Sequence, residues 1–215
     1  MTNFGAGHET MCSALTSIMA MIGSHPDVRT RVNNEVRSAT VGPKIALDSA
    51  LQLPYTQASI KEAQRLHPVI GMSLSRRVPA GGMEMHGLHI PPGSTVGCNP
   101  VSLHRNPEIF GPGADKFVPG RWLQATDAPA IRAMDRFNLT WGGGGRVCPG
   151  RHLAEMVLYK IVPALVREFD VKVVDLPDDS ATPYYFMAML TGVRASFVPA
   201  EAALPRRMES NRQKR

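Results

Sequence analysis

A mainly α-helical fold with small β-sheets is what this sequence predicts, and three observations predict it. Apolar residues recur at helical spacing over long proline-free or proline-started segments near the front of the chain. A further helical pattern follows residue 150. Between them lie short alternating stretches punctuated by Gly and Pro, the texture of small hairpins and turns.

The chain has 215 residues and is 43% apolar, enough to bury one sizeable core or two small ones. Gly, Pro or charge interrupts every apolar run short of the roughly 18 residues a membrane-spanning helix needs. The residues after Met1 lack the basic and apolar regions of a signal peptide. Cys12, Cys98 and Cys148 are an odd set with no C-x-x-C pair, which argues against a disulfide framework and for a reducing compartment. The formal charge is +6, but residues 206–215 carry a balance of +4, leaving +2 for the rest. So weak a charge on the body argues against a nucleic-acid partner. The expected organisation is one body over residues 1–200 and a basic, disordered tail over 201–215.

In chain order, residues 4–22 form a predicted helix stopped by Gly23-Ser24-His25-Pro26. A second is predicted over 26–38, with Pro in its first turn, Asp27 near its positive end, and Val28, Val32 and Val36 on one face. A third runs over 54–66. Met83, Met85, Leu88 and Ile90 flank His86-Gly87, and residues 94–98 follow Pro91-Pro92-Gly93, together predicting a small sheet. Residues 99–140, rich in Pro and Gly, read as irregular chain, ordered into a meander by Phe110, Phe117 and Trp122. Leu153, Val157, Leu158, Ile161 and Leu165 give a helix reaching Phe169 with a possible kink at Pro163, and strands are expected over 171–174 and 186–197.

The glycine run 142–145 invites a phosphate-loop reading, but no Lys-Ser or Lys-Thr follows it and Cys148 stands where a third fingerprint glycine belongs. Cys148 and His152 invite zinc, but structural zinc sites bring paired cysteines and two further ligands. A haem-thiolate reading uses more of the residues. A thiolate persists where N–H dipoles and a helix start stabilise it, and Cys148 sits ahead of the last predicted helix, with Pro149 assigned to its first turn. Arg146 is placed to pair with a propionate and Trp141 to pack on the ring. Taken alone, Cys148 is explained as well by a buried, inert thiol.

The signature F-x-x-G-x-R-x-C-x-G is met at Gly144, Arg146, Cys148 and Gly150, with Trp141 in place of Phe. Glu62 and Arg65 form an E-x-x-R pair, residues 117–122 read F-x-P-x-R-W with Arg121, and Ala6-Gly7-His8-Glu9-Thr10 matches A-G-x-[D/E]-T. With these motifs in this order, the chain resembles the cytochrome P-450 family. Residues 78–82 and 103–122 resemble fungal members of the pisatin demethylase and benzoate hydroxylase kind.

The resemblance covers residues 4 to about 198 and implies the C-terminal part, less than half, of the cytochrome P-450 fold, incomplete as given. It implies haem as cofactor, with Cys148 as axial ligand of the iron and Arg146, Trp141, Gly144, Gly150, Arg76 and His104 around the ring. His104 has a structural hydrogen bond as its competing role. Glu62 and Arg65, at i and i+3, would otherwise be a surface pair. The resemblance instead joins them with Arg121 in a buried triad, although Gly120 stands where Glu is frequent. Thr10 is implied as hydrogen-bond donor at the oxygen site and Glu9 as a link in the proton relay. Residues 70–74 and 187–190 would line the substrate pocket, with core packing the alternative.

The implied function is monooxygenation of a small apolar organic substrate with O2 and electrons from an NADPH-dependent flavoprotein reductase. The alternatives are a reductase-independent isomerase or dehydratase and a non-catalytic haem-binding module. A fragment unable to turn over alone is expected, from a parent at the cytosolic face of the endoplasmic reticulum membrane.

Overall fold

The computed structural model describes residues 3–39, 44–124, 128–178 and 184–200; the expected tail, 201–215, lies outside them. Helices α1 (Asn3–Ser24) and α2 (Pro26–Ala39) meet at His25. α1 buries Ala14, Ile18 and Ile22, and α2 buries Val28, Val32 and Val36, the four-residue spacing that keeps one face inward. A single turn, α3 (Leu47–Ala50), leads to α4 (Pro54–Leu66). Leu53, at the N-cap of α4, has no side chain able to cap it. Glu35 of α2 does so instead: its carboxylate accepts from Tyr55 N at 2.9 Å, Thr56 N at 2.7 Å and Thr56 Oγ1 at 2.6 Å.

Strand β1 (Leu74–Arg77) follows, then the hairpin β2 (Met83–Met85) and β3 (Leu88–Ile90). Its turn residues His86 and Gly87 have φ of 50° and 76°, the left-handed pair a two-residue hairpin loop requires. β4 (Thr95–Cys98) pairs antiparallel with β1 and not with the hairpin, so the one small sheet expected here is two.

Residues 99–140 are also more regular than expected. They contain single-turn helices α5 (Pro100–Leu103), α6 (Pro107–Phe110) and α7 (Arg121–Gln124), then α8 (Ala128–Phe137). α5 and α6 each start at an Asn-Pro pair. Asn99 accepts from Val101 N at 2.8 Å and Asn106 from Glu108 N at 2.9 Å, and the proline supplies the first helical φ.

α9 (Arg151–Glu168) starts at N-cap Gly150, so Pro149 precedes the helix and is not in its first turn. Pro163 is buried within α9, which continues past it. β5 (Phe169–Asp175) pairs antiparallel with β6 (Arg194–Pro199). The strand expected over 186–197 is confined to β6 and to isolated bridges at Met187 and Ala188.

α1, α2, α4 and α9 enclose the main core, which includes Ile18, Val32, Leu53, Ile60, Leu158 and Val162, each at most 1% exposed. Burying each such side chain contributes about 1.5–3 kcal/mol. Phe110, Ala114, Trp122 and Met134 pack on Ala58 as a second cluster on the other side of α4. α4 thus has a hydrophobic contact on both faces, and residues between them are sealed from water.

Candidate functional site: a thiol loop and a buried charge centre

Glu62 and Arg65 project from α4 between the two clusters, both side chains 0% exposed. Arg65 Nε and Nη2 each donate to the Glu62 carboxylate at 2.9 Å. Its remaining N–H groups go to the carbonyls of His104, Ala114 (2.5 Å) and Lys116 (3.1 Å), so all five donors are used. Glu62 also accepts from Arg121 Nε at 2.7 Å, Val118 N at 3.0 Å and Trp122 Nε1 at 2.9 Å. Arg121 donates to the carbonyls of Phe110 and Gly113. One carboxylate and two guanidiniums therefore fasten six backbone groups of residues 104–118 to one helix. Gly120 takes no part in these bonds.

His104 lies against this centre, also 0% exposed. Its Nδ1 is 2.8 Å from the Arg65 carbonyl, and its Nε2 accepts from Leu139 N at 2.7 Å. A carbonyl only accepts and an amide only donates, so the ring is the neutral Nδ1–H tautomer. Burial pushes its pKa down to about 4, opposed by the Arg65 carbonyl and helped by the charges of Arg65 and Arg105. With both nitrogens engaged inside the fold, His104 has none left for a propionate. The sequence expectation of a propionate contact is corrected to its structural alternative.

From Leu139 the chain enters the glycine loop. Gly142 N donates to Leu139 O at 2.9 Å, and Cys148 N donates to Trp141 O at 2.8 Å, closing the loop at its neck. Gly142 has φ of 77°, and a Cβ there would stand 3.3 Å from Arg146 O, so glycine is needed. Gly144, also at positive φ, and Gly145 have no atom within 4 Å of where a Cβ would be. The open side of the loop is free for a ligand. Cys148 and Arg146 are exposed, Trp141 is partly buried, and Gly150 would place a Cβ 3.9 Å from Cys148 Sγ.

Arg76 of β1 reaches across to the loop, Nη2 lying 3.3 Å from Gly143 O, and so joins the residues assigned to the site from sequence. Beside it is an open cavity of about 540 Å³, lined by Leu74, Arg76, Met85, Val96, Cys98 and Leu139 among others.

The other side chains expected at the site are on the first turns of α1. Glu9 is exposed, and Gly5 and Gly7 have open space where a Cβ would stand. Thr10 Oγ1 donates to Ala6 O at 2.6 Å. In this rotamer the hydroxyl proton is used within the helix and the oxygen lone pairs remain for an incoming donor.

The two segments expected to line a substrate pocket meet: Ile70 bridges Met187, Gly71 N donates to Phe186 O at 3.2 Å and Ala188 N to Val69 O at 2.8 Å. Ser13 of α1, which sequence reasoning missed, joins them by donating to Ala188 O at 2.6 Å. Gly71 lies within the first of these segments. A Cβ there would lie 2.9 Å from Tyr185 O, so the close crossing demands glycine.

The donor set fits a prosthetic group that carries most of its own metal ligands. Among the described residues no three His, Cys, Asp or Glu side chains converge to hold a bare ion. What is present is an exposed thiol on the glycine loop, Cys148, with Cys98 in the wall of the neighbouring cavity, arginines for carboxylates, and open glycines and apolar walls for a flat ring. These features suit haem.

This arrangement defines a helix-rich protein with a thiol-bearing loop anchored to a buried carboxylate–guanidinium centre. The sequence profile of the cytochrome P-450 family matches residues 1–193, and the chain belongs to that family. It is 61% identical over 214 residues to the cytochrome P-450 monooxygenase sdnT of Sordaria araneosa, covering 93% of this chain and 38% of that protein. It is 36% identical over 171 residues to a pisatin demethylase of Fusarium vanettenii, covering 80% of this chain and 33% of that protein. Among solved structures, a zebrafish cytochrome P-450 with progesterone superposes with a TM-score of 0.78 at 25% identity, covering 92% of this chain and 44% of that one. The chain thus spans 38% and 33% of the length of these two curated relatives.

Proposed function

We propose that this chain supplies the thiolate ligand, the propionate contacts and the proton-handling side chains of a haem-dependent monooxygenase. The reaction class is insertion of one atom of O2 into a small apolar organic substrate, with electrons from an NADPH-dependent flavoprotein reductase. The observation that carries the reading is the accessible Cys148 thiol on a loop whose open glycines and neighbouring Arg76 leave room for a flat carboxylate-bearing ring.

When bound, haem would supply a redox-active iron able to activate O2. Cys148 would hold the iron as thiolate and donate electron density to it. Arg76 and Arg146 would neutralise the propionates, and the walls at Leu74 and Val96 would exclude water from the ring edge. On α1, Thr10 Oγ1 would accept a hydrogen bond from a water or hydroxyl while its own proton stays on Ala6 O. The exposed Glu9 carboxylate would take protons from solvent and pass them inward through water.

No described helix is long and apolar enough to cross a membrane. By the family resemblance, the complete enzyme is proposed to act at the cytosolic face of the endoplasmic reticulum.

The test is the absorption spectrum of the reduced, carbon-monoxide-treated protein, expressed with haem precursor, beside Cys148→Ala. A strongly red-shifted Soret band lost in the variant is expected. Haem bound identically by both proteins would exclude Cys148 as the ligand, and no haem in the wild type would overturn the reading.

A further inference from the structure

We propose that His104 is a positioning residue for the thiol loop: its uncharged imidazole clamps the entry of that loop to the helix that carries Glu62 and Arg65. The functional half of this inference rests on the haem-thiolate reading above, whereas the clamp itself does not.

The path is continuous and short. Nδ1–H of His104 donates to the carbonyl of Arg65, the residue whose guanidinium pairs with Glu62. Nε2 accepts from Leu139 N, Leu139 O accepts from Gly142 N, and Trp141 O accepts from Cys148 N. The imidazole is thus a rigid two-ended spacer between the backbone of α4 and the neck of the loop. The neighbouring tie from Thr140 to Gln64 O is 3.4 Å long. The Thr140 hydroxyl has one proton, better placed for Asn138 Oδ1 at 2.6 Å, so it adds little to the clamp.

The position of the ring is itself fixed. His104 N donates to Pro100 O at 2.9 Å, its carbonyl accepts from Arg65 Nη1, and its ring stacks edge-on against Phe110 at 5.9 Å between centroids. A side chain held at backbone and ring, with one donor and one acceptor pointing to opposite segments, sets the distance between them. Leu139 is partly buried, and without the His104 acceptor its N–H loses its partner at the neck of the loop.

The two ends can be separated by substitution. His104→Gln keeps an acceptor near the Nε2 position, and His104→Asn keeps a donor near the Nδ1 position. The clamp requires hydrogen exchange at Leu139 and Cys148 to stay within about threefold of wild type in H104Q, and to rise roughly ten- to a hundredfold in H104N. Site-resolved alkylation of Cys148, read against Cys12 and Cys98 in the same sample, should rise in H104N alone. In haem-loaded protein, H104N should lose part of the red-shifted carbon-monoxide band to the form without thiolate, and H104Q should retain it.

A residue that only fills the core would give the same response in both variants, which would overturn the proposal. Should neither variant fold, the 15N imidazole spectrum of the wild type decides: the clamp requires the neutral Nδ1–H tautomer at His104, and the Nε2–H tautomer would refute it. If the wild type takes up no haem, the haem-thiolate reading fails while exchange and tautomer still decide the clamp. If haem loads and the two variants match, the clamp fails and that reading stands.

Discussion

Replacing Glu62 by Gln should destabilise this protein more than any exposed charge substitution. The carboxylate accepts five hydrogen bonds, from Arg65 Nε and Nη2, Arg121 Nε, Val118 N and Trp122 Nε1. Arg65 is 0% exposed and Arg121 8%, so water cannot take over the lost charge. Gln removes the negative charge and turns one acceptor into a donor facing donors. Breaking a buried pair by neutralising one partner costs about 3–5 kcal/mol, a large share of the 5–15 kcal/mol that holds a typical domain. The control is Asp175→Asn in the pair with Arg194, whose side chains are 51% and 75% exposed; it should cost under about 0.5 kcal/mol. Urea unfolding followed by circular dichroism compares the two at a common slope. A loss below about 1 kcal/mol for E62Q would refute the claim that the triad is a buried, mutually dependent unit.

Glu35→Ala should cost about 1–2 kcal/mol in the same unfolding experiment, because three donors at the start of α4 lose their acceptor. Gly142→Ala should cost about 1–3 kcal/mol, since φ of 77° strains any side chain and the added Cβ meets Arg146 O; faster exchange at Cys148 N would locate the strain in the loop. Stability should depend on pH through His104, whose pKa falls from 6.5 to about 4 on folding. A lowered folded pKa means the unfolded chain binds the proton more readily. The stabilisation is therefore full above about pH 6.5 and is lost as pH drops toward 4, by at most about 3 kcal/mol. Urea midpoints measured across that window should fall less steeply in H104Q.

Local patterns carried much of the fold. Pro at helix starts, the four-residue valine spacing of α2 and the His86-Gly87 turn depend on neighbours in sequence, and the expected elements appear there. Asn99-Pro100 and Asn106-Pro107 were equally local capping signals that could have placed α5 and α6 within the stretch read as irregular. The spacing of Glu62 and Arg65 on one helix was legible too, but an i, i+3 pair has the same pattern on a surface and in a core.

What the sequence by itself determined was the set of helices, the glycines that shape the thiol loop, and the motif order that points to the family. Only the tertiary structure decided which charges are buried, because burial of Glu62 depends on Phe110 and Trp122 closing over α4 from some fifty residues away. Likewise the partners of His104, Glu35 capping α4, the bond from Ser13 to Ala188 and the reach of Arg76 to the loop join segments far apart in the chain. Hydrogen-bond donors and acceptors are common to many residues, and no periodicity marks which distant backbone group a side chain will meet. That choice is made when the hydrophobic clusters pack and fix the distances between segments.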